Sequence, residues 1–350
     1  MRKEIVFAIV MGTIFGLLVA FGIIRANNAF NKSNSEVSTS NENPEISPAQ
    51  NSQVLGITLT KPNDLGVETE NPVTFSGISK PQTFIVISLD NGDYILKTND
   101  AGEFNQDIEL DAGLNYIKMT AIDDKGSSFE KNIKIVFSTE FNKISEVKDT
   151  STPATVSADD IQKKVDQKIT DALNRPTFYF GTITDLTNSS LQLKSDTGEI
   201  KQISITVSTS FVRFGKTTTT IKLKDVAIGD YIIAMGYIFE KDVLDSSRVL
   251  IITPFQPESK IVLLGNVDDV NKGLITVNPI IDGKEIGIIP SNSTVTTNGD
   301  PNEMKKVKFA SISEGDIILL VGKAKDSQIE AIRIHIISSP EPSPTPTKKP

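Results

Sequence analysis

The second half of the chain repeats itself. Phe180-Gly181-Thr182-Ile183-Thr184-Asp185 returns as Leu264-Gly265-Asn266-Val267-Asp268-Asp269. Further on, Leu223-Lys224-Asp225-Val226-Ala227-Ile228-Gly229-Asp230 returns as Phe309-Ala310-Ser311-Ile312-Ser313-Glu314-Gly315-Asp316, and the hydrophobic runs that follow end at Gly236 and Gly322. A period of about 85 residues is longer than a solenoid unit and long enough for a small domain. The chain therefore reads as tandem modules, a layout that suits display or spacing better than a single catalytic site.

The rest of the chain leaves room for one more module. At 350 residues with 38% hydrophobic content, two or three cores are expected. Cysteine is absent, which excludes disulfides, thiolate metal sites, thiol nucleophiles and lipid attachment through cysteine. A net charge of -8 weighs against nucleic acid as a partner, because phosphate binding is driven by clustered Lys and Arg.

Residues 5–24 form an uncharged, mainly apolar run behind Arg2 and Lys3. That is about the 20 residues a helix needs to cross a bilayer. No A-x-A-like cleavage pattern follows, so residues 1–26 are read as a retained membrane anchor in preference to a cleaved signal. The basic N-terminus stays in the cytoplasm, which makes the bulk of the chain extracytoplasmic, or secreted if the segment is cleaved. Gly12 and Gly16 are read as glycines scattered in an apolar helix rather than a dimerisation motif. Residues 27–55 are polar and act as a disordered tether.

Residues 56–138 alternate apolar and polar positions between Asn, Asp and Gly turns, predicting about seven short strands in a β-sandwich. Three segments carry a resemblance. They are Val73-x-Phe75-x-Gly77, Asp100-Ala101-Gly102-Glu103-Phe104, and Leu110-Asp111-Ala112-Gly113-Leu114-Asn115-x-Ile117-x-Met119-x-Ala121. On these segments the region resembles bacterial immunoglobulin-like surface modules. Antibody-type domains differ: Asn115 occupies the inward face where they carry a corner tyrosine, and Tyr116 points outward with Lys118 and Thr120.

Residues 139–176 read as a linker containing a helix, with Ile161, Val165, Ile169 and Leu173 forming a narrow apolar stripe until Pro176. The two repeats span 177–254 and 259–338. Each is expected to hold five short strands, with a polar stretch (208–212 or 291–295) after the third. A helical turn starting at Asp225 or Ser311 and ending at Gly229 or Gly315 precedes the fourth. That order predicts a small OB-like β-barrel. The pattern of Gly-x-Ile, then Leu-x-x-Val-x-x-Gly-Asp, then a hydrophobic run closed by glycine is similar to an uncharacterised bacterial exported-domain family, which implies no activity. Residues 339–350 form a Pro-rich tail.

The fold class is thus mainly β: a transmembrane helix, an Ig-like sandwich, a connecting helix and two OB-like barrels. Catalytic, cofactor-binding and metal residues are all expected to be none, with no cofactor. The only histidine, His335, has no partner pattern and reads as a surface or edge residue. The acids of Asp90-Asn91-Gly92-Asp93, Asn99-Asp100-Ala101-Gly102 and Asp123-Asp124-Lys125-Gly126 read as hairpin turns rather than calcium ligands. Gly229-Asp230 and Gly315-Asp316 read as tight turns. Aromatics Phe178, Tyr179, Phe180, Phe211, Phe214, Tyr231, Tyr237 and Phe239 populate the first repeat only, so no shared stacking platform for single strands is expected.

The expected function is a non-enzymatic, membrane-anchored envelope or surface protein that displays binding or spacer β-modules. Its partners would be the membrane through residues 5–24 and an envelope protein or glycan. A polysaccharide-binding accessory protein is the first alternative and a carboxylate-dependent hydrolase the second.

Overall fold

The computed structural model describes residues 55–139 and 175–339 apart from 216, 240, 241, 255, 272 and 282. The predicted membrane segment, the tether, the connecting helix and the tail lie outside the described residues. Among those described, no helix is long and apolar enough to cross a membrane. The described residues fall in one compact unit, 53–350, and the fold is mainly β, with two five-stranded barrels.

The first module is a two-layer sandwich. One layer orders Thr58–Lys61 (β1), Val73–Ile78 (β3) and Glu103–Ile108 (β6) as β1-β3-β6. The other orders Asp93–Lys97 (β5), Phe84–Ser88 (β4), Gly113–Ile122 (β7), Ser128–Phe137 (β8) and Gly66–Glu68 (β2) as β5-β4-β7-β8-β2. The alternation read from sequence sends Phe75, Ile85, Ile87, Ile117, Met119, Ala121 and Ile135 into the core between the layers. Asn115 is buried on that inner face as expected. Its amide bonds the backbone of Asp111 (2.7 and 2.9 Å) and Gly113 (3.0 Å), tying the corner back on itself as a corner tyrosine would. Strand β2 was not anticipated, because three residues with one buried apolar side chain, Val67, carry no readable period.

Each repeat closes into a barrel. In the first, Thr177–Leu186 (β9), Ser190–Lys194 (β10), Ile200–Arg213 (β11), Tyr231–Ile238 (β13) and Leu244–Ile252 (β14) run β9-β10-β11-β14-β13 and back to β9, with Thr219–Ile221 (β12) clipped to β11. In the second, Ile261–Asn271 (β15), Leu274–Pro279 (β16), Ile286–Asn298 (β17), Ile317–Lys325 (β19) and Gln328–Ser338 (β20) take the same order, and Lys305–Val307 (β18) stands where β12 does. The third and fifth strands pair in parallel in both copies and all other barrel pairs are antiparallel. This closed five-strand Greek-key order is OB-like.

Two local expectations are corrected. The third strand and the polar stretch after it form one long strand with a bulge, at 205/210 in β11 and 290/295 in β17. The hydroxyls explain it: Thr209 Oγ1 donates to Ser246 O (2.7 Å) and Thr294 Oγ1 to Ala331 O (2.6 Å), so the polar residues pin the bulge to the neighbouring strand. The helical turns are single 3-10 turns, Leu223–Asp225 and Phe309–Ser311, so Asp225 and Ser311 end them. Asp225 still caps, accepting from Lys222 N at 3.1 Å. Gly229 and Gly315, at φ 95° and 86°, supply the left-handed backbone that the following turn needs.

The modules dock on one another. Strand β2 pairs with β8 on one side and touches β9 through Gly66 and Thr177, so the sandwich sheet runs on into the first barrel. Ser138 N donates to Glu68 O (2.8 Å) and Val67 N to Pro176 O (3.1 Å), which pins the chain to adjacent residues of β2 both before and after residues 139–175. The first barrel buries Phe178, Phe180, Tyr231, Ile233, Met235 and Leu250 against Val67 and Val136. The second buries Leu264, Leu319 and Val321 against Phe84, Val86, Ile95 and Ile122. By the repeat, Phe180 corresponds to Leu264, Ile233 to Leu319 and Met235 to Val321. Both barrels therefore press the same face onto the outer surface of the same sandwich sheet. Burying one such side chain contributes about 1.5–3 kcal/mol, so each interface is held mainly by apolar burial.

Candidate functional site

Between the two docked barrels, part of the sandwich sheet's outer face remains open. Strand registers place Asp93, Ser88, Lys118 and Asn132 in one row across β5, β4, β7 and β8, with Tyr116 and Lys134 forming the next cross-strand pair on the β7 and β8 side. These side chains share the outer face because strand alternation sends their neighbours Ile87, Ile117 and Ile133 inward. The segment between the barrels, Pro257 to Lys260, closes one wall. The result is a cleft of about 400 Å³ lined by Ser88, Asp90, Tyr116, Lys118, Lys134 and Lys260 among others.

Its charges are mostly spoken for. Lys260 is buried, with its Nζ 2.9 Å from Asp93 Oδ1 and bonded to Leu89 O. Lys118 pairs with Glu130 and donates to Lys260 O at 3.0 Å. Glu258 pairs with Lys323, which holds its carboxyl below the usual range. Two groups stand apart. Lys134 Nζ lies 5.4 Å from the Phe180 ring centre and 5.8 Å from that of Tyr116, with no carboxylate in ion-pair range among the described residues. Asp90 has its pKa raised, first by desolvation; Lys260 opposes the shift, and Glu258 and Asp111 add to it. The Ser88 hydroxyl is buried without a hydrogen-bond partner among the described residues.

Tyr116 and Tyr231 meet at one end, where the Tyr231 hydroxyl donates to Asp196 at 2.9 and 3.1 Å. Burial raises the pKa of both phenols, and for Tyr231 the bond to Asp196 raises it further. Both therefore stay protonated near neutrality and act as hydrogen-bonding groups rather than nucleophiles. The arrangement offers donors, acceptors and aromatic surface to a bound molecule.

The structure disperses the residues singled out from sequence. His335 is fully buried, which overturns the expectation of a surface or edge histidine. It shares the docking face with its cross-strand neighbour Leu319 and occupies the position that Leu250 holds in the first barrel. Its Nδ1 lies 3.1 Å from Thr297 Oγ1. Burial first, and then the Arg333 charge, push its pKa down, against Asp300 and the Gly299 backbone, so it is neutral.

The turn acids serve their loops. Asn99 Oδ1 accepts from Ala101 N and Glu103 N, and Asp123 Oδ1 from Lys125 N and Ser127 N. Asp93 bonds across to Lys260, and Asp90 lines the cleft. Asp230 and Asp316 accept from Ala227 N and Ser313 N in matching turns (3.0 and 2.8 Å). Of the aromatics, Phe178, Phe180 and Tyr231 pack on the sandwich, Phe211 fills the barrel core, and Phe239 is exposed.

Sequence reasoning placed Tyr116 and Lys118 on the outer face but did not gather Ser88, Lys134 and Lys260 beside them. The signal was the run Phe84-Ile85-Val86-Ile87, apolar at consecutive positions, which marks a strand covered on both faces.

No protein-family model and no curated protein matches the chain. Among solved structures, the chain is similar to drosophila Unr CSD456 at 12% identity, over 74% of this chain and 98% of that one, with a TM-score of 0.17. A score that low supports no argument, and the OB-like assignment rests on the strand order.

Proposed function

We propose that this chain is a non-enzymatic binding protein of the cell envelope, anchored through residues 5–24, with an Ig-like sandwich and two OB-like barrels held together outside the membrane. The observation that carries the reading is the shared docking face. Two copies of one barrel cover the same sheet and leave a polar cleft between them, a geometry that positions recognition groups rather than spacing modules apart. The apolar N-terminal run behind Arg2 and Lys3 supports the location. The burial of His335, which does not line the cleft, removes the residue best suited to general-base work from the cleft. Asp90 and Glu258 influence one another at the rim, but Glu258 is tied to Lys323 and Asp90 sits on an exposed turn, so a carboxylate hydrolase is disfavoured. The ring of Tyr116 on the cleft wall favours, as a second reading, a polysaccharide-binding accessory role.

Membrane fractionation of the full-length protein, with protease treatment of intact cells and mass analysis of the N-terminus, tests the location. Retention of the N-terminal segment in the membrane fraction with protease-accessible barrels is the expected result. A full-length protein in the soluble cytosolic fraction would refute the reading.

A further inference from the structure

Both barrels press the same face onto the sandwich, and at one position of that face they differ in kind. Ile334 and Ile336 point into the core of the second barrel, so Arg333, His335 and Ile337 point out toward the sheet that carries Phe84 and Ile95. His335 is fully buried there, where the first barrel has Leu250. Its Nδ1 lies 3.1 Å from Thr297 Oγ1, and its Nε2 is enclosed without a hydrogen-bond partner among the described residues. The two attachments also differ. The first barrel continues the sandwich sheet through β2, whereas the second forms a sheet of its own, reached through the exposed residues 256–259. It is held by its apolar face and by polar bonds from Lys260 to Asp93, from Lys118 to Lys260 O and from Lys97 N to Asn302 Oδ1.

Charging His335 puts a proton on each ring nitrogen. Thr297 can accept one of them, and Nε2 has no acceptor for the other among the described residues. The charged groups packed around the ring do not make up the loss. Burial first, and then Arg333 on the same strand face, oppose the charge and outweigh Asp300 and the Gly299 backbone. From the β17–β18 hairpin, Glu303 and Lys306 are exposed to water. From β5, Asp93 is taken up by Lys260 and Arg333, and Lys97 is a further cation. Strands β19, β4 and β7 present Leu319, Val321, Phe84, Val86 and Ile122 to the interface, none of which carries charge.

We propose that the second barrel is an acid-released arm: protonation of His335 undocks it from the sandwich, while the first barrel, with Leu250 in that place, stays docked. Release lets both nitrogens of the imidazolium reach water. It also carries residues 257–260 away from the cleft and bares Phe84, Val86 and Ile95. The direction follows from linkage. Free of the interface, the ring takes up its proton near the ordinary value of 6.5, and docked it does so only at lower pH. Docking is therefore at full strength above about pH 6.5 and weakens by up to about tenfold per pH unit below it, until the docked ring also titrates. The inference goes beyond the display role and does not depend on it.

The test uses the absence of native cysteine, which lets paired nitroxide labels be placed at will on the full-length protein. Asn105→Cys with Ser327→Cys spans the sandwich and the second barrel, and Asn105→Cys with Asn188→Cys spans the sandwich and the first; all three positions are exposed. Distances are read by double electron–electron resonance on samples frozen from about pH 8 and about pH 5, either side of the histidine range. The second-barrel distance is expected to be narrow at the higher pH and broad at the lower, with the first-barrel distance unchanged. In His335→Leu the second-barrel distance should stay narrow at both, and Leu250→His should confer the acid response on the first barrel. A second-barrel distance that does not respond to acid, a response that persists in His335→Leu, or equal broadening at both barrels of the otherwise unaltered chain would each overturn the proposal.

Discussion

Lys260 is the most informative side chain to remove. Both members of its ion pair are nearly inaccessible, with side-chain exposures of 6% for Lys260 and 1% for Asp93. Asp93 Oδ2 already has no hydrogen-bond partner among the described residues. In Lys260→Ala the carboxylate would lose its bonded cation and Leu89 O its donor. Stripping one partner from a buried pair costs about 3–5 kcal/mol. Arg333 also faces Asp93 and softens the loss, which places the expected cost near the lower bound, about 3 kcal/mol. For a cooperative unit of this size that corresponds to a melting temperature lower by roughly 6–12 °C. Differential scanning calorimetry checks it, with the double variant Lys260→Met, Asp93→Leu as the control. Replacing both charges by apolar groups of similar size is expected to recover most of the loss. A single variant melting within about 1 °C of wild type, or a double variant as unstable as the single, would refute the view that this pair bolts the second barrel to the sandwich.

Three further outcomes follow from the same contacts. His335 has a folded-state pKa below its ordinary value of 6.5, so the unfolded chain takes up a proton that the folded one refuses. Stability should therefore decline as pH falls below about 6.5, and His335→Leu, which copies the first barrel, should flatten that part of a denaturation profile taken between pH 5 and 8. Gly236→Ala would place a Cβ 1.9 Å from Asp245 O, where β13 and β14 cross at a bulge, and urea titration should show a loss of about 1–3 kcal/mol or more. Gly322→Ala, whose nearest obstacle is the Ile329 side chain at 2.4 Å, should cost less. Asn115→Ala removes the corner's amide bonds and is expected to lower stability by about 1–3 kcal/mol in the same assay.

The repeat, the barrel strand order and the sandwich alternation were legible because each is written in local periodicity. Gly236 and Gly322 even mark the bulge that both barrels share. Docking was harder to read. In Tyr231-Ile232-Ile233-Ala234-Met235 the odd-numbered residues face the sandwich and the even-numbered ones the barrel core. The hydrophobic run announces two covered faces but not what covers the outer one. His335 misled because a polar residue in an edge-like strand suggests solvent, whereas here it replaces a leucine inside an interface. The cleft was invisible to sequence for a different reason. Its lining comes from residues 88–90, 116–118, 130, 132–134 and 257–260, and nothing local links a lysine between two barrels to an aspartate in a sandwich turn.

The pinning of the chain at β2 fixes the spacing of the sandwich and the first barrel. Both flanks bond to adjacent residues of one short strand, and β8 and β9 lie on either side of it, so the two attachment points are about 10 Å apart, or two strand spacings. Three or four extended residues would cover that gap. The distance between sandwich and first barrel is thus set by the pairing of β2 with β8 and its contact with β9.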